Sequence, residues 1–177
     1  GFVKSVKILI SKGADPNIQD TYSLAPLHIA ALKIDTNFPK VFNALNTPFI
    51  DSEEGDVKIK TLLDVNLQTD SRIKGFELTD KAGNPKTHVF EGGETALHLA
   101  AYVGNKDAVN SLLTLSQIDT SIQNAKGKTA LDLASEAKQE EVIKLLSRQL
   151  PQMTLNEMIS AIQDLTNSLG LLSFRLK

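Results

Sequence analysis

The chain has 177 residues, of which 41% are hydrophobic and 23% charged, as in an ordinary globular protein or a short solenoid. Its net charge of −2 gives no reason to expect nucleic acid or an anionic membrane as a partner. The sequence contains no cysteine, which excludes disulfides and thiolate zinc sites and favours a cytoplasmic location.

The first predicted element is an amphipathic helix. Residues 2–11 carry apolar side chains at helical spacing, and Gly13 is placed to end the helix. Residues 15–24 then predict a connecting hairpin. A second helix is predicted from about Pro26 to Lys33, because proline is tolerated at the first helical position.

Two insertions are predicted next, from the spacing of repeated motifs. A sequence of the form Asp-x-Asn-x-Gln at residues 15–19 recurs at 64–68 and, with serine for asparagine, at 119–123. The regular unit that begins at Thr95 fixes the expected distances between these motifs. Compared with those distances, the chain has additional residues near 34–55 and a longer additional segment near 69–91.

The first insertion leaves one helix undecided. Residues 38–45 and residues 57–63 are the two candidates for the second helix of this unit. The sequence does not choose between them, because 57–61 also alternates like a strand. The second insertion is clearer. Residues 76–79 and 87–90 alternate around a segment rich in turn formers, which predicts an enlarged β-hairpin that projects past its neighbours.

A repeated unit follows at residues 93–134. Thr-Ala-Leu-His at 95–98 returns as Thr-Ala-Leu-Asp at 129–132, and such self-similarity at a fixed period is typical of stacked repeats. Between the two copies, apolar residues predict two short helices on either side of Gly104. Neither helix can bury its apolar face alone, so each unit requires neighbours.

These motifs resemble those of the ankyrin repeat, whose signature T-P-L-H-x-A recurs with a period of about 33 residues. The signature occurs at residues 95–100 and 25–30 and, in altered form, at 129–134. The resemblance implies an all-α ankyrin-repeat solenoid of about three and a half repeats over residues 1–150. Because Gly1 stands where Gly104 stands in a later unit, we expect the chain to begin inside a repeat of a longer protein.

Residues 151–177 are predicted to form a C-terminal helix and tail outside the ankyrin pattern. Thr154 to Glu157 has the form of a capping box, and the helix it opens has one apolar face. We favour a cap on the last repeat, because large apolar side chains left in water promote aggregation. A partner or dimer helix and a membrane-surface helix are the alternatives.

The histidines have structural and functional interpretations. The resemblance implies that His28 and His98 form local hydrogen bonds that support the stack, and Asp132 in the third copy favours that role over imidazole chemistry. His88, in the projecting hairpin, is predicted to be a solvated strand residue, with contact to a partner as the alternative.

No catalytic residue, metal site or cofactor is predicted. The acidic segment 51–56 lacks the glutamate of a calcium-binding EF-hand, since Thr61 occupies that position, and is assigned to a solvated loop. Neither a phosphate-binding loop nor a nucleophile motif is present. Asn17 resembles the ankyrin asparagines modified by an asparaginyl hydroxylase, and a hairpin asparagine that bonds its own backbone is the favoured alternative.

The resemblance implies a non-catalytic module that binds another protein through a concave face and the projecting hairpin. The alternatives are a segment that recruits substrate for a larger enzyme, and a secreted microbial effector that acts on a host protein in the host cytosol. The candidate partner-binding residues are Tyr22, Leu32, Lys33, Lys81, Asn84, Lys86, His88, Tyr102, Val103, Lys126 and Glu136.

Overall fold

The computed structural model describes residues 2–33, 37–47, 50–51, 58–59, 62–70, 76–79, 85–88, 90–148 and 163. The described residues form the helices α1 (Phe2–Ser11), α2 (Pro26–Leu32), α3 (Phe38–Leu45), α4 (Ala96–Val103), α5 (Lys106–Leu113), α6 (Ala130–Glu136) and α7 (Glu140–Ser147). They also form the short strands β1 (Ile50–Asp51), β2 (Lys58–Ile59), β3 (Phe76–Thr79) and β4 (Pro85–His88). None of the helices in these ranges is long and apolar enough to cross a bilayer.

The helices stack in two rows. The first helices of successive repeats, α2, α4 and α6, contact one another in order, and the second helices α1, α3, α5 and α7 form a parallel row. Within each repeat the two helices also pair, as α2 with α3, α4 with α5 and α6 with α7. The predicted solenoid of helix-turn-helix units is therefore confirmed.

The signature residues determine where the first helices begin. Thr95 and Thr129 are N-caps in extended conformation, and the hydroxyl of each accepts a hydrogen bond from the backbone N–H three residues later. Ala25 has no hydroxyl, and Pro26 at the first helical position begins α2 instead. Gly104 ends α4 in the left-handed region, with a φ of 76°, which costs glycine little. Helices of seven or eight residues are marginal alone, so packing stabilises them.

The core runs continuously through the stack from Val6 to Leu146. Small buried residues such as Ala31, Ala100 and Ala134 allow the first helices to approach closely, while leucines and phenylalanines fill the space between the two rows.

The first insertion lies mainly after α3. Helix α3 is the second helix of its repeat, because it packs between α1 and α5, which decides the choice left open by the sequence. Residues 57–63 do not form that helix, since Lys58–Ile59 is a strand. Helix α3 ends long before the hairpin motif at 64–68, whereas α5 ends just before the motif at 119–123. Most of the surplus therefore follows α3, and it extends past residue 55.

The second insertion contains the predicted enlarged hairpin. Strands β3 and β4 pair antiparallel, with Phe76 opposite His88 and Thr79 opposite Pro85. The second strand begins two residues earlier than predicted, so Pro85 belongs to it and not to the turn. We call β3 and β4 the projecting hairpin.

By its contacts the chain divides into two compact units, Gly1–Ser147 and Arg148–Lys177. Apart from Gln163, the helix predicted in the second unit lies outside the described residues.

Candidate functional site

The last turns of the first helices carry three of the predicted binding residues. Leu32, Tyr102 and Glu136 occupy equivalent positions on α2, α4 and α6, whose helices are neighbours in the stack. Glu136 is exposed and accepts a hydrogen bond from the Lys128 ammonium group. Leu32 and Tyr102 are partly buried against the core. These helix ends therefore form one mixed apolar and charged row.

Tyr102 is less exposed than its position in the repeat indicated. Its ring meets Phe90 edge-on, with 6.1 Å between ring centroids and 78° between ring planes, and Phe90 is only 2% exposed. Burial, followed by the nearby charge of Glu136, raises the pKa of the Tyr102 phenol. Val103 also packs partly on the core, so the two adjacent α4 positions that were predicted as exposed are only partly accessible.

The hairpin tips are fixed by side-chain caps. The Asp20 carboxylate accepts hydrogen bonds from the N–H groups of Tyr22 at 2.8 Å and Leu24 at 3.0 Å, and the intervening Ser23 has a φ of 57°. Tyr22 is consequently held on a defined turn with 58% of its surface exposed. In the last repeat, the side-chain amide oxygen of Asn124 accepts hydrogen bonds from the backbone N–H groups of Lys126 and Lys128, at 3.0 Å each.

The surface of the last tip carries an ion pair. Lys126 and Glu91 approach to 2.7 Å across adjacent repeats. Both groups are substantially exposed, so this pair contributes little to stability. It nevertheless places one candidate binding residue, Lys126, beside the returning end of the second insertion.

His28 and His98 bridge adjacent repeats. Nδ1 of each ring accepts from the N-cap N–H of its own helix, Ala25 at 3.1 Å and Thr95 at 3.2 Å. Nε2 then carries the proton and donates to a carbonyl of the following hairpin, Leu67 or Lys128, at 3.0 Å in both cases. The predicted local hydrogen bond is confirmed, and it extends to the next repeat.

Burial makes both histidines weak bases, so neither ring readily takes up a second proton. Desolvation lowers the pKa of His28 to about 4 and lowers that of His98 as well. Asp132 retains the capping arrangement, with its carboxylate accepting from the Thr129 N–H at 2.8 Å, and this bond lowers its pKa. The residue three positions after the N-cap therefore has a structural role in all three repeats.

The hairpin asparagines bond to the next repeat. Asn17 donates to the Leu62 carbonyl at 2.7 Å and accepts from the Asp64 N–H at 2.8 Å. Asn66 repeats this pattern one unit later, donating to Gln117 at 2.7 Å and accepting from Asp119 at 3.0 Å. Asn17 has the structural role favoured for it, but the prediction that it bonds the backbone of its own hairpin is wrong, because both bonds reach the next repeat.

Hydroxylation of Asn17 stays a prediction, and it requires the asparagine to leave these hydrogen bonds. The intact mass of the chain after coexpression with the asparaginyl hydroxylase tests it. A gain of one oxygen, absent from an Asn17→Ala variant, is the expected result if the modification occurs. An unchanged mass would leave Asn17 with its structural role alone.

Asn105 and Gln139 have roles that the sequence did not suggest. The Asn105 amide donates to the carbonyls of Ala31 at 3.1 Å and Lys33 at 2.7 Å, and so caps the end of α2. Gln139 donates to the Tyr102 carbonyl at 3.2 Å at the end of α4. Their equivalent positions in successive repeats were the available signal.

Glu94 is the least expected buried group, being only 1% exposed. Its carboxylate accepts from the Thr69 hydroxyl at 3.1 Å, the Gly92 N–H at 3.0 Å and the Asn124 amide at 3.3 Å. Burial raises the pKa of this carboxyl, and the hydrogen bonds oppose that shift. The signal in the sequence was an acidic residue directly before the signature, where Leu24 and Lys128 stand in the other copies.

Over the described ranges, no group of three or more His, Asp or Glu side chains is placed to hold a metal ion.

A family model described as ankyrin repeats matches residues 52–156 in three copies. The chain belongs to the ankyrin repeat family. Ankyrin repeats are generally modules for protein–protein interaction.

Three curated proteins with similar sequences were found. The human transient receptor potential cation channel subfamily A member 1 is 26% identical over 152 residues, which cover 81% of this chain and 13% of the channel. Alpha-latrotoxin-Lhe1a of Latrodectus hesperus is 46% identical over 55 residues, covering 31% of the chain and 4% of the toxin. Ankyrin repeat-containing protein BDA1 of Arabidopsis thaliana is 50% identical over 42 residues, covering 24% of the chain and 10% of that protein. The chain thus spans a small part of each relative.

The remaining candidate residues divide by what the structure describes. Lys33 and Lys126 are exposed on the ankyrin stack. Lys86 and His88 lie in β4, where only the backbone is described. Lys81 and Asn84 lie outside the described residues.

Proposed function

We propose that this ankyrin chain is a non-catalytic module that binds a partner protein through its concave surface and projecting hairpin. We define the concave surface as the last turns of α2, α4 and α6 together with the hairpin tips at 20–24 and 124–128. The observation that supports this most directly is the placement of two tyrosines at this surface, Tyr22 on a turn whose backbone is capped and Tyr102 with its ring against Phe90. Aromatic side chains at an accessible surface are typical anchors of protein interfaces.

The chemistry of the buried polar groups supports a role without catalysis. His28 and His98 each use both ring nitrogens in structural hydrogen bonds, and their lowered pKa values keep them neutral at pH 7. Recruitment for a larger enzyme and action as an effector use the same surface and differ in the partner. The cytoplasmic location remains part of the proposal.

Replacing Tyr22 by alanine is expected to weaken partner binding by about 1–2 kcal/mol, roughly a 5- to 30-fold rise in Kd. The partner is first captured with the intact chain and identified by mass spectrometry, and Kd is then measured by calorimetry. Because Tyr22 is 58% exposed, its removal should leave the melting temperature unchanged. Tyr102 is less suitable for this test, since its replacement also removes the contact with Phe90.

Ile8→Ala is the matched control, because Ile8 is 60% exposed but lies on α1 in the second-helix row. It should bind the partner with the parent Kd. If Tyr22→Ala binds as tightly as Ile8→Ala, the tip of the first hairpin is not part of the interface.

A further inference from the structure

The second insertion interrupts a hairpin tip without opening it. In the regular tips, the N–H of Asp20 donates to the Leu24 carbonyl at 3.1 Å, and the N–H of Asn124 donates to the Lys128 carbonyl at 2.9 Å. Thr69 is the equivalent residue, and its N–H donates to the Glu94 carbonyl at 2.9 Å. The closing bond of the turn is therefore kept, although its two ends lie much further apart in the sequence than in the regular tips.

The side-chain cap of this tip differs from that of the regular tips. Asp20 caps the N–H groups two and four residues later with one carboxylate. The Thr69 hydroxyl instead accepts from the Glu94 N–H at 3.0 Å. The Glu94 carboxylate bonds back from the other side, because it accepts from both the Thr69 hydroxyl and the Gly92 N–H. One side chain thus joins the outgoing and returning ends of the insertion.

The same carboxylate connects these ends to the following repeat. Its second oxygen accepts from the Asn124 amide at 3.3 Å, and Asn124 is itself held by its turn. The Ala125 N–H adds a parallel bond to the Gly92 carbonyl at 2.9 Å. The two ends of the second insertion are consequently attached to the tip of the last repeat.

A carboxylate is an unusual choice for this position on grounds of stability. Burying an ionised group is unfavourable unless hydrogen bonds compensate for the lost water, and here only neutral donors do so. An apolar residue is accepted at the equivalent site, since Leu24 is buried in the preceding hairpin. The carboxylate occurs in the one described tip that carries an insertion, which points to a role in orientation.

We propose that the Glu94 carboxylate locks the two ends of the second insertion onto the tip of the last repeat, and that this attachment sets the direction in which the projecting hairpin leaves the stack and lets it engage a partner together with the concave surface. Glu94 is in this sense a positioning residue. The lock itself requires no partner, whereas its consequence for binding rests on the proposed function.

This direction is measured by pulsed electron spin resonance between nitroxides at Lys86→Cys in β4 and Glu140→Cys in α7. The chain has no native cysteine, so labelling is specific. In the parent we expect one narrow distance distribution. Glu94→Leu is expected to broaden it about twofold and to accelerate exchange of the Gly92 and Ala125 amides roughly tenfold, because these amides lose their support. The melting temperature should fall only modestly, because the Thr69 hydroxyl, the Gly92 N–H and the Asn124 amide lose their acceptor while a leucine is already accommodated at the equivalent position 24.

Two further variants make the test decisive. Thr69→Val removes one donor to the carboxylate with little change of shape and should broaden the distribution in the same direction. Asp20→Ala removes the cap of a regular tip and should leave the distribution unchanged. If Glu94→Leu and Thr69→Val both give the parent distribution, the lock is refuted, and if Glu94→Leu fails to fold, Thr69→Val decides alone. No partner enters the experiment, so its result is independent of the proposed function.

Discussion

Replacing Phe90 by alanine is expected to lower the free energy of unfolding by about 3–5 kcal/mol, the usual loss for a buried phenylalanine. Phe90 is 2% exposed and belongs to the continuous core, at the point where the second insertion returns to the stack. Its removal leaves a cavity and also withdraws the ring on which Tyr102 rests. Urea unfolding followed by circular dichroism measures the loss.

Phe90→Leu is the control, because it retains an apolar side chain and should lose clearly less stability than Phe90→Ala. The Tyr102 phenol provides a second measurement. Its pKa is raised mainly by burial, so in Phe90→Ala it should move back towards its ordinary value. A loss of less than about 1 kcal/mol in the alanine variant would contradict the assignment of Phe90 to the core.

Acidification is expected to destabilise the fold between about pH 6.5 and pH 4. Burial lowers the pKa of His28 from 6.5 to about 4. Between these two pH values the His28 imidazole is protonated in the unfolded chain and neutral in the folded chain. The stability due to neutral His28 is complete above pH 6.5 and is lost as the pH falls towards 4. The shift corresponds to about 3 kcal/mol. Urea unfolding at half-unit pH steps measures the decline.

His28→Gln isolates this contribution, because glutamine does not titrate. The variant should be less stable at pH 7, and its decline on acidification should be smaller by most of that roughly 3 kcal/mol. His98 contributes in the same direction as His28, whereas Glu94, with its raised pKa, opposes the decline. Asp132 adds a loss only at lower pH, since its pKa is lowered. Equal declines in parent and variant would show that His28 does not carry the effect.

Much of the fold could be predicted because the repeat motifs encode local geometry. A threonine three residues before a histidine or aspartate specifies both the start of a helix and its cap, and Thr95 and Thr129 behave in this way. An aspartate two residues before an asparagine specifies a turn, as at Asp15 and Asn17. With these fixed points, simple spacing located both insertions.

The parts that could not be predicted depend on contacts across long sequence distances. The exposure of Tyr102 is set by Phe90, which reaches it only after an insertion has returned to the stack. The carboxylate of Glu94 is explained by Thr69 and Asn124, which lie in the preceding and following hairpin segments. Helix α3 is identified as the second helix by its packing against α1 and α5. The local pattern of apolar residues carries no information about such packing partners.

Among the described residues, most of the hydrogen bonds that join neighbouring repeats end on main-chain atoms. Asn17, His28 and Asn105 all bond backbone carbonyls of an adjacent unit. Hydrogen bonds to backbone atoms depend little on which side chains the neighbouring repeat carries. One repeat can therefore be exchanged or lengthened in evolution while these hydrogen bonds are kept. The exposed ion pairs of Lys126 with Glu91 and of Lys106 with Glu141 depart from this pattern, and so does the buried pair of Glu94 and Asn124, in which each side chain contacts the other. Glu94 and Asn124 are therefore expected to change together when the unit that bears the hairpin is transplanted.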